Sequence, residues 1–389
     1  MRDAVIVGAV RSPIGKKNGK LSGVHPTDLL GTVLRALLDR TGVDPLAVDD
    51  VIGGCVTQTG AQGVNVTRNA VIAAGLPWEV PATTVDRQCG SAMQAMAFGA
   101  ASVQAGHYDL VIAGGVETMS QVGLGTNAVN PGFAFSDAWF EAVGGRENLY
   151  TQFMAAQAIA EKWNISREEM DVLAVESHRR AWQATQEGRF ERETVPIKVT
   201  LPDGTVEEMT VDECIRPGTT LEKLAALPQV QEGCPDMTAG NSSPISDGAA
   251  AVMITTPERA QALDLTPRAR LAHFALAACE PIVMLQGPIP ATRKLLMRSG
   301  MSLDDFDLFE CNEAMGSIVP MWEREFGVDH AKVNVNGSGI SIGHPVGASG
   351  ARMLTTLLHE MERTRARWGF QTMCEGGGQA NAIALELLA

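Results

Sequence analysis

Four side chains that could take part in covalent catalysis follow apolar runs at separate points of the sequence. Cys89 lies in VDRQCGSAMQAM, Asn312 in CNEA, His344 in GSGISIGHPVGASG and Cys374 in CEGGG. A thiol becomes a nucleophile when a neighbouring base such as histidine removes its proton. The glycines 376–378 would let backbone N–H groups approach a bound carbonyl oxygen without a side chain intervening. These residue types favour thiol chemistry if the fold brings them together.

Each of these residues also has a purely structural interpretation. Free cysteine commonly packs as a small hydrophobic residue, which applies to both Cys89 and Cys374. His344 could simply belong to a loop, Asn312 could cap a helix, and the glycines 376–378 could form a turn. Against this, Cys89 stands where a helix of small residues should begin, and a helix N-terminus stabilises a thiolate. The order of the surrounding elements discriminates between these interpretations.

Hydrophobic periodicity predicts the same alternation of strands and helices twice along the chain. The first half has predicted strands at 3–10, 48–56, 80–88 and 108–115 and helices at 26–42, 63–75 and 89–106. The second half has predicted strands at 268–278, 306–312, 332–339, 370–378 and 380–388 and helices at 289–300, 313–327 and 346–364. A further strand at 248–256 would complete the first half. All four candidate residues then fall at the carboxyl ends of strands, where α/β folds gather their sites.

This alternation predicts an α/β protein with two mostly parallel sheets flanked by helices. We expect the N-terminal half to comprise residues 1–118 and 246–267, and the C-terminal half residues 268–389. Residues 119–245 are rich in Gly, Pro, Met and charge, so we expect them to form an inserted domain. A pseudo-twofold axis between the halves could bring the four candidates together.

Composition restricts the function classes. The 389 residues are 45% hydrophobic and 20% charged, as is ordinary for a globular protein, and the net charge of −14 argues against nucleic acid as the main partner. The seven cysteines have no metal-ligand spacing, so we expect reduced thiols and no metal. No segment is apolar enough to suggest a membrane span or signal, and we therefore expect a cytoplasmic protein.

A set of motifs gives a family resemblance. QCGSAMQA, GGVETMS, TAGNSSPISDGAAAV, GPIPATRK, CNEAM, NGSGISIGHPVGASGAR and CEGGGQ together resemble the thiolases over essentially the whole chain. The resemblance implies a duplicated αβαβα layered fold with a loop domain inserted in the first half. It implies cleavage of a 3-ketoacyl-CoA by coenzyme A to acetyl-CoA and a shortened acyl-CoA, or the reverse Claisen condensation. Coenzyme A would be a co-substrate, no cofactor would be bound permanently, and the protein would be a homodimer or homotetramer.

The resemblance also implies roles for individual residues. Cys89 would be the nucleophile that carries the acyl group, His344 its base, and Cys374 a second acid and base. His344 with a water held by Asn312 would form one oxyanion hole, and the N–H groups of Cys89 and Gly376 the other. Glu313 would orient its neighbours. The residues that would contact coenzyme A are Arg216, Ala239, Ser243, Ala314 and Met315.

Three features depart from the family pattern. Met315 stands where thiolases typically have Phe, and YTQFMAAQAIAEKW replaces an HMG-like stretch, so contacts there cannot be transferred. Glu375 replaces a usually apolar residue. Strand alternation points its side chain away from that of Cys374, although its charge could still raise the thiol pKa.

GSGIS in place of GGAIA favours a degradative enzyme with bulky substrates. Alternatives are a biosynthetic acetoacetyl-CoA thiolase, a ketoacyl synthase and an inactive CoA-binding protein.

Overall fold

The computed structural model describes residues 2–129, 132–201 and 203–388. The strands are β1 (Val5–Arg11), β2 (Gly15–Lys16), β3 (Asp50–Gly54), β4 (Ala82–Val85), β5 (Leu110–Thr118), β6 (Ile197–Thr200), β7 (Val206–Met209), β8 (Ser246–Thr255), β9 (Ala269–Ala278), β10 (Leu308–Cys311), β11 (Trp368–Glu375) and β12 (Gln379–Leu387). The helices are α1 (Pro26–Thr41), α2 (Val66–Ala73), α3 (Ser91–Ala105), α4 (Thr126–Val129), α5 (Asp137–Ala142), α6 (Gln152–Lys162), α7 (Arg167–Gln186), α8 (Leu221–Ala225), α9 (Pro257–Ala262), α10 (Pro288–Ser299), α11 (Ile318–Phe326) and α12 (Ser349–Thr364).

The strands of both halves form one continuous mixed sheet, with the order β10-β11-β12-β9-β1-β8-β5-β3-β4 and β2 added beside β8. The prediction of mostly parallel pairing is wrong, because most strand pairs in this sheet are antiparallel. Strand β8 inserts antiparallel between β1 and β5, and β12 returns antiparallel from β11 through the turn at 376–378. The halves are joined by a short antiparallel pairing of β1 with β9 at Val5–Arg270 and Ile6–Ala269. Local periodicity does not reveal the direction in which a strand is paired.

Helices α3 and α12 form a central layer between the two halves of the sheet. Helix α12 contacts β5 and β8 of the first half and β10 and β11 of the second, and its residues from Ser349 to Met361 are all buried. The two helices cross so closely that a side chain at Gly350 would collide with Met93. Helices α1 and α2 cover the outer face of the first half, and α10 and α11 that of the second. The layers therefore follow the order αβαβα.

The third strand predicted in the second half, 332–339, is absent from the part of the chain that the structure describes. Only a single parallel bridge, between Val333 and Phe309, remains. Asn334 has a left-handed backbone with φ of 49°, which ends the extended conformation. Its side chain instead accepts from the Cys311 N–H at 2.9 Å and donates to the Cys311 carbonyl at 2.8 Å. One asparagine side chain thus satisfies the backbone groups that a strand would have paired.

Candidate active site

Cys89 lies in a tight turn between strand β4 and helix α3. Gln88, immediately before it, has a φ of 48°, a strained value for a residue with a side chain. The Ser91 hydroxyl braces the turn, because it donates to the Gln88 carbonyl at 2.6 Å and accepts from the Arg87 N–H at 2.9 Å. Gly90 is the N-cap residue of α3, so Cys89 just precedes the helix. The turn presents the thiol at the first turn of a helix, as expected.

The environment of Cys89 nevertheless favours the neutral thiol. Burial, followed by the charge of Glu375, raises the pKa of Cys89 to about 12. Hydrogen bonds from the backbone N–H groups of Gly376 and Cys89 lower this pKa, but they do not offset the burial. The helix N-terminus alone therefore does not keep Cys89 as a thiolate in the free protein. A base must remove the proton when substrate is present.

His344 lies in the buried loop that leads into α12, and both of its ring nitrogens have partners. Nδ1 lies 2.6 Å from the Ser349 hydroxyl, which itself donates to the Pro345 carbonyl at 2.8 Å. The hydroxyl must then accept from Nδ1–H, which leaves Nε2 with its lone pair. The Asn312 amide nitrogen lies 3.2 Å from Nε2 and is the donor to it. Burial, with a smaller contribution from Arg352, lowers the His344 pKa to about 3, so the ring is neutral and can accept a proton.

Asn312 follows β10 and is held in line with β11 by a bond from its N–H to the Thr372 carbonyl at 3.1 Å. Its side-chain oxygen is buried and has no hydrogen-bond partner among the described residues. This oxygen can accept from a bound water or substrate group. Asn312 does not cap a helix, because α11 begins only at Ile318. The intervening segment is held instead by a bond from the Gly316 N–H to the Asn241 carbonyl at 2.7 Å.

Glu313 organises the loop that carries His344. Its fully enclosed carboxylate accepts from the Ser177 hydroxyl at 2.6 Å, from the Asn334 amide at 3.0 Å and from the Ile340 N–H at 3.2 Å. Ser177 belongs to α7 of the inserted segment, so this carboxylate ties three parts of the chain together. The sequence-based expectation that Glu313 orients its neighbours is consistent with these bonds.

Cys374 and Gly376 lie at the end of β11, where the chain turns tightly into β12. The register places Cys374 opposite Ala380, and the turn closes at the pair Glu375 and Gln379. Burial raises the pKa of Cys374 well above its usual value, and the charges of Cys89 and Glu375 raise it further. A Cβ at Gly376 would lie 3.0 Å from the Gln88 side-chain oxygen, so the end of β11 packs against the turn that carries Cys89. The Gly376 N–H lowers the pKa of Cys89, which places it near that thiol.

Glycines allow the turns around the site to pack without side chains between them. A Cβ at Gly54 would lie 2.7 Å from Ser91, beside Cys89, and 2.5 Å from the Gly347 carbonyl, in the loop of His344. The buried Glu117 carboxylate also holds this loop, because it accepts from the Gly347 N–H at 3.0 Å and from the Val56 N–H at 2.8 Å. The nucleophile turn and the histidine loop therefore meet at the end of β3.

Sequence reasoning missed three residues that support this site. Ser349 fixes the His344 ring, the Ser246 hydroxyl accepts from the His344 N–H at 3.1 Å, and Glu117 holds Gly347. Glu117 lies within GGVETMS and Ser246 within TAGNSSPISDGAAAV, two of the motifs that carry the resemblance. A carboxylate in an otherwise apolar strand was the available signal for Glu117, because buried charges need several donors. Ser349 carries no comparable signal in the sequence.

The structure brings together three of the five residues predicted to contact coenzyme A. The Ser243 N–H donates to the Ala314 carbonyl at 3.0 Å, and the neighbouring Ser242 forms a bridge with Met315. Ala314 and Met315 are buried, whereas Arg216 and Ala239 have exposed side chains. The Arg216 N–H donates to the buried His178 on α7 at 3.2 Å, which anchors its loop to the inserted segment.

Residues 2–129, 132–201 and 203–388 contain neither a candidate metal site nor a membrane-spanning helix. No group of three or more His, Cys, Asp or Glu side chains there is arranged to hold a metal ion. No helix in those residues is both long and apolar enough to cross a membrane.

Comparison with known proteins identifies the family of this chain. The thiolase N-terminal domain matches residues 4–258 and the thiolase C-terminal domain residues 265–387. The whole chain is 45% identical to the steroid 3-ketoacyl-CoA thiolase FadA6 of Mycobacterium tuberculosis, of which it covers 95%. It is 41% identical to a 3-ketoacyl-CoA thiolase of Bacillus subtilis, with both chains fully covered. These matches define an acyltransferase of the α/β class, and the chain belongs to the thiolase family.

Solved structures give the same result. The crystal structure of the Bacillus anthracis acetyl-CoA acetyltransferase matches with a TM-score of 0.92 at 37% identity. That of human mitochondrial 3-ketoacyl-CoA thiolase matches with a TM-score of 0.91 at 35% identity. Each comparison covers 100% of this chain and 99% of the other. The duplicated αβαβα fold predicted from the sequence is thereby confirmed.

Proposed function

We propose that the protein is a degradative thiolase that cleaves 3-ketoacyl-CoA with coenzyme A to acetyl-CoA and a shortened acyl-CoA. The observation that carries the proposal is the meeting of three turns in one buried region. A Cβ at Gly54 would touch both the turn of Cys89 and the loop of His344, and a Cβ at Gly376, after Cys374, would lie 3.0 Å from Gln88. Asn312 contacts His344 in the same region. The names of the relatives, which include 3-ketoacyl-CoA thiolases from several bacteria, support it. A biosynthetic acetoacetyl-CoA thiolase is the second candidate, because some relatives are named acetyl-CoA acetyltransferase.

The first half-reaction uses the neutral thiol and imidazole. Nε2 of His344 accepts the Cys89 proton, and the sulfur attacks the 3-keto carbon. The bond between C2 and C3 then breaks, and its electron pair passes to C2 as the carbanion of acetyl-CoA. The Cys374 thiol gives its proton to that carbon, acetyl-CoA leaves, and the shortened acyl group remains as a thioester on Cys89.

The second half-reaction transfers the acyl group to coenzyme A. The Cys374 thiolate takes the proton of the incoming thiol, whose sulfur attacks the thioester carbon and displaces Cys89. The Cys89 sulfur recovers its proton from His344. Each protein group ends with the proton count it began with, because the coenzyme A thiol replaces the proton that Cys374 gives to acetyl-CoA. The overall reaction needs no oxidant, reductant or metal.

Two sets of donors would stabilise the oxygen anions that form. The N–H groups of Cys89 and Gly376, both directed at the Cys89 sulfur, suit an oxyanion on the carbon bonded to that sulfur. On the other side, protonated His344 and a water on the free oxygen of Asn312 would stabilise the thioester enolate of acetyl-CoA. Once Nε2 is protonated it no longer accepts from the Asn312 amide, so its N–H is free to donate to the enolate oxygen.

Coenzyme A would enter between the inserted segment and the second half. The pairing of Ser243 with Ala314 and of Ser242 with Met315 supports a wall for the pantetheine arm. Ala239 and Arg216 are exposed and would meet the outer parts of the molecule, with the Arg216 charge close to the nucleotide phosphates. This assignment follows the division into N-terminal half, inserted segment 119–245 and C-terminal half that the sequence predicts.

A second copy of the chain is the expected macromolecular partner. Strand β4 forms one edge of the sheet, and within the described residues it pairs only with β3. Val64 and Trp78, which flank α2 beside this edge, are 91% and 82% exposed. An open strand edge next to large apolar side chains favours self-association. Light scattering should give a dimer or tetramer, and a monomer at micromolar concentration would contradict this. The cytoplasmic location stays a prediction.

The decisive experiment is thiolysis of a series of 3-ketoacyl-CoA substrates of increasing chain length, including one with a fused-ring acyl group. The relative named as a steroid thiolase makes the ring-bearing substrate the critical member. A degradative enzyme releases acetyl-CoA from long or ring-bearing substrates, whereas a biosynthetic one accepts only acetoacetyl-CoA. A ketoacyl synthase or an inactive CoA-binding protein would release none.

A further inference from the structure

Glu375 is an acidic residue enclosed in the centre of the candidate site. It lies between Cys374 and Gly376 in the chain, and its side chain is 0% exposed. Neither carboxylate oxygen has a hydrogen-bond partner in the described part of the chain. Buried carboxylates ordinarily accept several hydrogen bonds, because an isolated buried charge is costly. The reaction described above does not use this group.

The Glu375 side chain reaches across from the second half to the turn of Cys89. One of its oxygens lies only 1.9 Å from the position that a Cβ on Gly90 would occupy. The Asn381 amide nitrogen lies 2.8 Å from the same position and donates to the Gly90 carbonyl at 3.2 Å. Glycine at 90 therefore leaves the space that the carboxyl group fills. The side chain of Glu375 contacts the residue that follows the nucleophile.

The charged and titratable groups around Glu375 come from the same two turns. Arg87 attracts the carboxylate, but its Nη1 donates to Gln379 at 2.8 Å rather than to Glu375. Asp86 repels it from the same turn, and the charge of Glu375 in turn raises the pKa of both Cys89 and Cys374. Burial is the largest effect and raises the pKa of Glu375 to about 8. The group therefore changes charge close to neutral pH.

We propose that Glu375 is a positioning residue that acts on Cys89, and that loss of its proton at mildly alkaline pH holds the nucleophile in its neutral form. The proposal rests on the proposed function only in assigning Cys89 as the nucleophile. A protonated carboxyl adds no charge to the site, so the N–H groups of Cys89 and Gly376 then act on the sulfur without opposition. A carboxylate in the same enclosed space opposes a thiolate there. As the pH rises, the ionised Glu375 therefore limits the fraction of Cys89 that is present as the reactive thiolate.

The test measures the ionisation of Cys89 directly, without turnover. The full-length protein and its Glu375→Gln variant are treated with iodoacetamide between pH 6 and 9.5, and alkylation at Cys89 is followed by peptide mass spectrometry. Mapping separates Cys89 from the partly exposed Cys279. Asp86→Asn is the matched control, because it removes an exposed carboxylate from the same turn and keeps the oxygen that accepts from the Gln88 N–H.

Glutamine matches the shape of the neutral carboxyl, so the two proteins should react equally at pH 6. At pH 9.5 the variant should react about 3- to 10-fold faster, which corresponds to a thiol pKa lower by about half to one unit. The Asp86→Asn protein should stay within about 2-fold of the unsubstituted protein, because solvent screens the exposed charge. A ratio between variant and unsubstituted protein that does not change with pH, whatever its size, would overturn the proposal.

The unsubstituted protein supplies a second measurement that does not depend on folding of the variant. For a single thiol below its pKa, the logarithm of the alkylation rate rises by one per pH unit. Ionisation of Glu375 should reduce this slope near pH 8, and a slope of one throughout would also overturn the proposal. Absence of thiolysis would count against the proposed function alone, since alkylation reports on Cys89 whether or not the protein turns over substrate.

Discussion

The turn that carries Cys89 and the loop that carries His344 occupy equivalent positions in the two halves, yet different forces hold them. The Cys89 turn is short and connects a regular strand to a regular helix, with one hydroxyl bracing its backbone. The His344 loop replaces a strand and depends on buried side chains, chiefly Asn334 and Glu313. Duplication of a fold therefore preserves where a functional residue lies without preserving how it is held.

The difference follows from what each residue must do. A nucleophile needs backbone N–H groups around its sulfur, and a tight turn before a helix supplies them. A base must stay neutral, which requires enclosure, and His344 is buried with a low pKa. Enclosing an irregular loop leaves many backbone groups without regular partners, so polar side chains have to bind them. The four predictions below test this contrast, from the largest expected effect to the smallest.

Removal of the base should have the largest effect. His344→Ala is expected to lower the thiolysis rate about 10²- to 10⁴-fold, the usual contribution of a general base. His359→Asn is the control, because it changes a buried histidine whose contacts lie outside the candidate site: Thr355 and Glu193 at Nδ1, and Arg268 at Nε2. Its rate should stay near that of the unsubstituted protein. Equal losses in both variants would mean that His344 acts only through stability.

The loop should be sensitive to the side chain that replaces the missing strand. Asn334→Ala leaves the N–H and the carbonyl of Cys311 buried without their partner and removes a donor to Glu313. We expect the free energy of unfolding to fall by about 3 kcal/mol, because each unsatisfied buried group costs about 1–3 kcal/mol. Urea denaturation measures this. A loss below about 1 kcal/mol would indicate that the loop does not depend on the asparagine.

Ser349 should affect the rate by orienting the His344 ring. Ser349→Ala removes the partner of Nδ1–H, and the loss of one hydrogen bond of about 1.4 kcal/mol corresponds to a tenfold fall in rate. The fall should appear in kcat while KM for the 3-ketoacyl-CoA stays the same. An unchanged kcat would show that Asn312 alone fixes the ring.

The Cys89 turn should tolerate loss of a side chain better than the loop. Gln88→Gly removes the cost of a positive φ on a residue with a side chain, while the hydrogen bonds that brace the turn involve only backbone atoms of residue 88. We expect the free energy of unfolding to rise by up to about 1 kcal/mol. Denaturation by urea tests this beside Asn334→Ala. A decrease as large as in that variant would remove the contrast between the two regions.

Most elements were predictable from the sequence because their apolar residues repeat with a clear period. The prediction of a strand at 332–339 was wrong. KVNVNGSG alternates like a strand, but Asn334 adopts a left-handed backbone and its side chain bonds to Cys311. The predicted start of α11, at residue 313, was wrong for a related reason, since the helix begins at Ile318. Its first residues are apolar, but Asn241, far away in the chain, holds Gly316 outside the helix. Both errors arise from contacts that a local pattern does not contain.

The positions of the candidate residues were predictable, but their ionisation was not. The repeated order of elements predicted Cys89, Asn312, His344 and Cys374 as neighbours, because a pseudo-twofold axis between the halves would bring equivalent ends together. Whether a thiol ionises depends on its burial and on side chains from the other half, and burial is here the largest effect on the pKa of Cys89. The burial of Glu375 could not be predicted either. Strand alternation gives the direction of a side chain, but it does not show which residues cover that side chain.

The most direct test of the central claim identifies the residue that carries the acyl group. The protein is incubated with a 3-ketoacyl-CoA in the absence of free coenzyme A, quenched in acid and digested, and the acylated peptide is found by mass spectrometry. We predict an acyl mass on Cys89 in the unsubstituted protein, and none in Cys89→Ser, whose hydroxyl stays protonated. Acylation of Cys374, or acylation of the Cys89→Ser protein at the unsubstituted rate, would contradict the account.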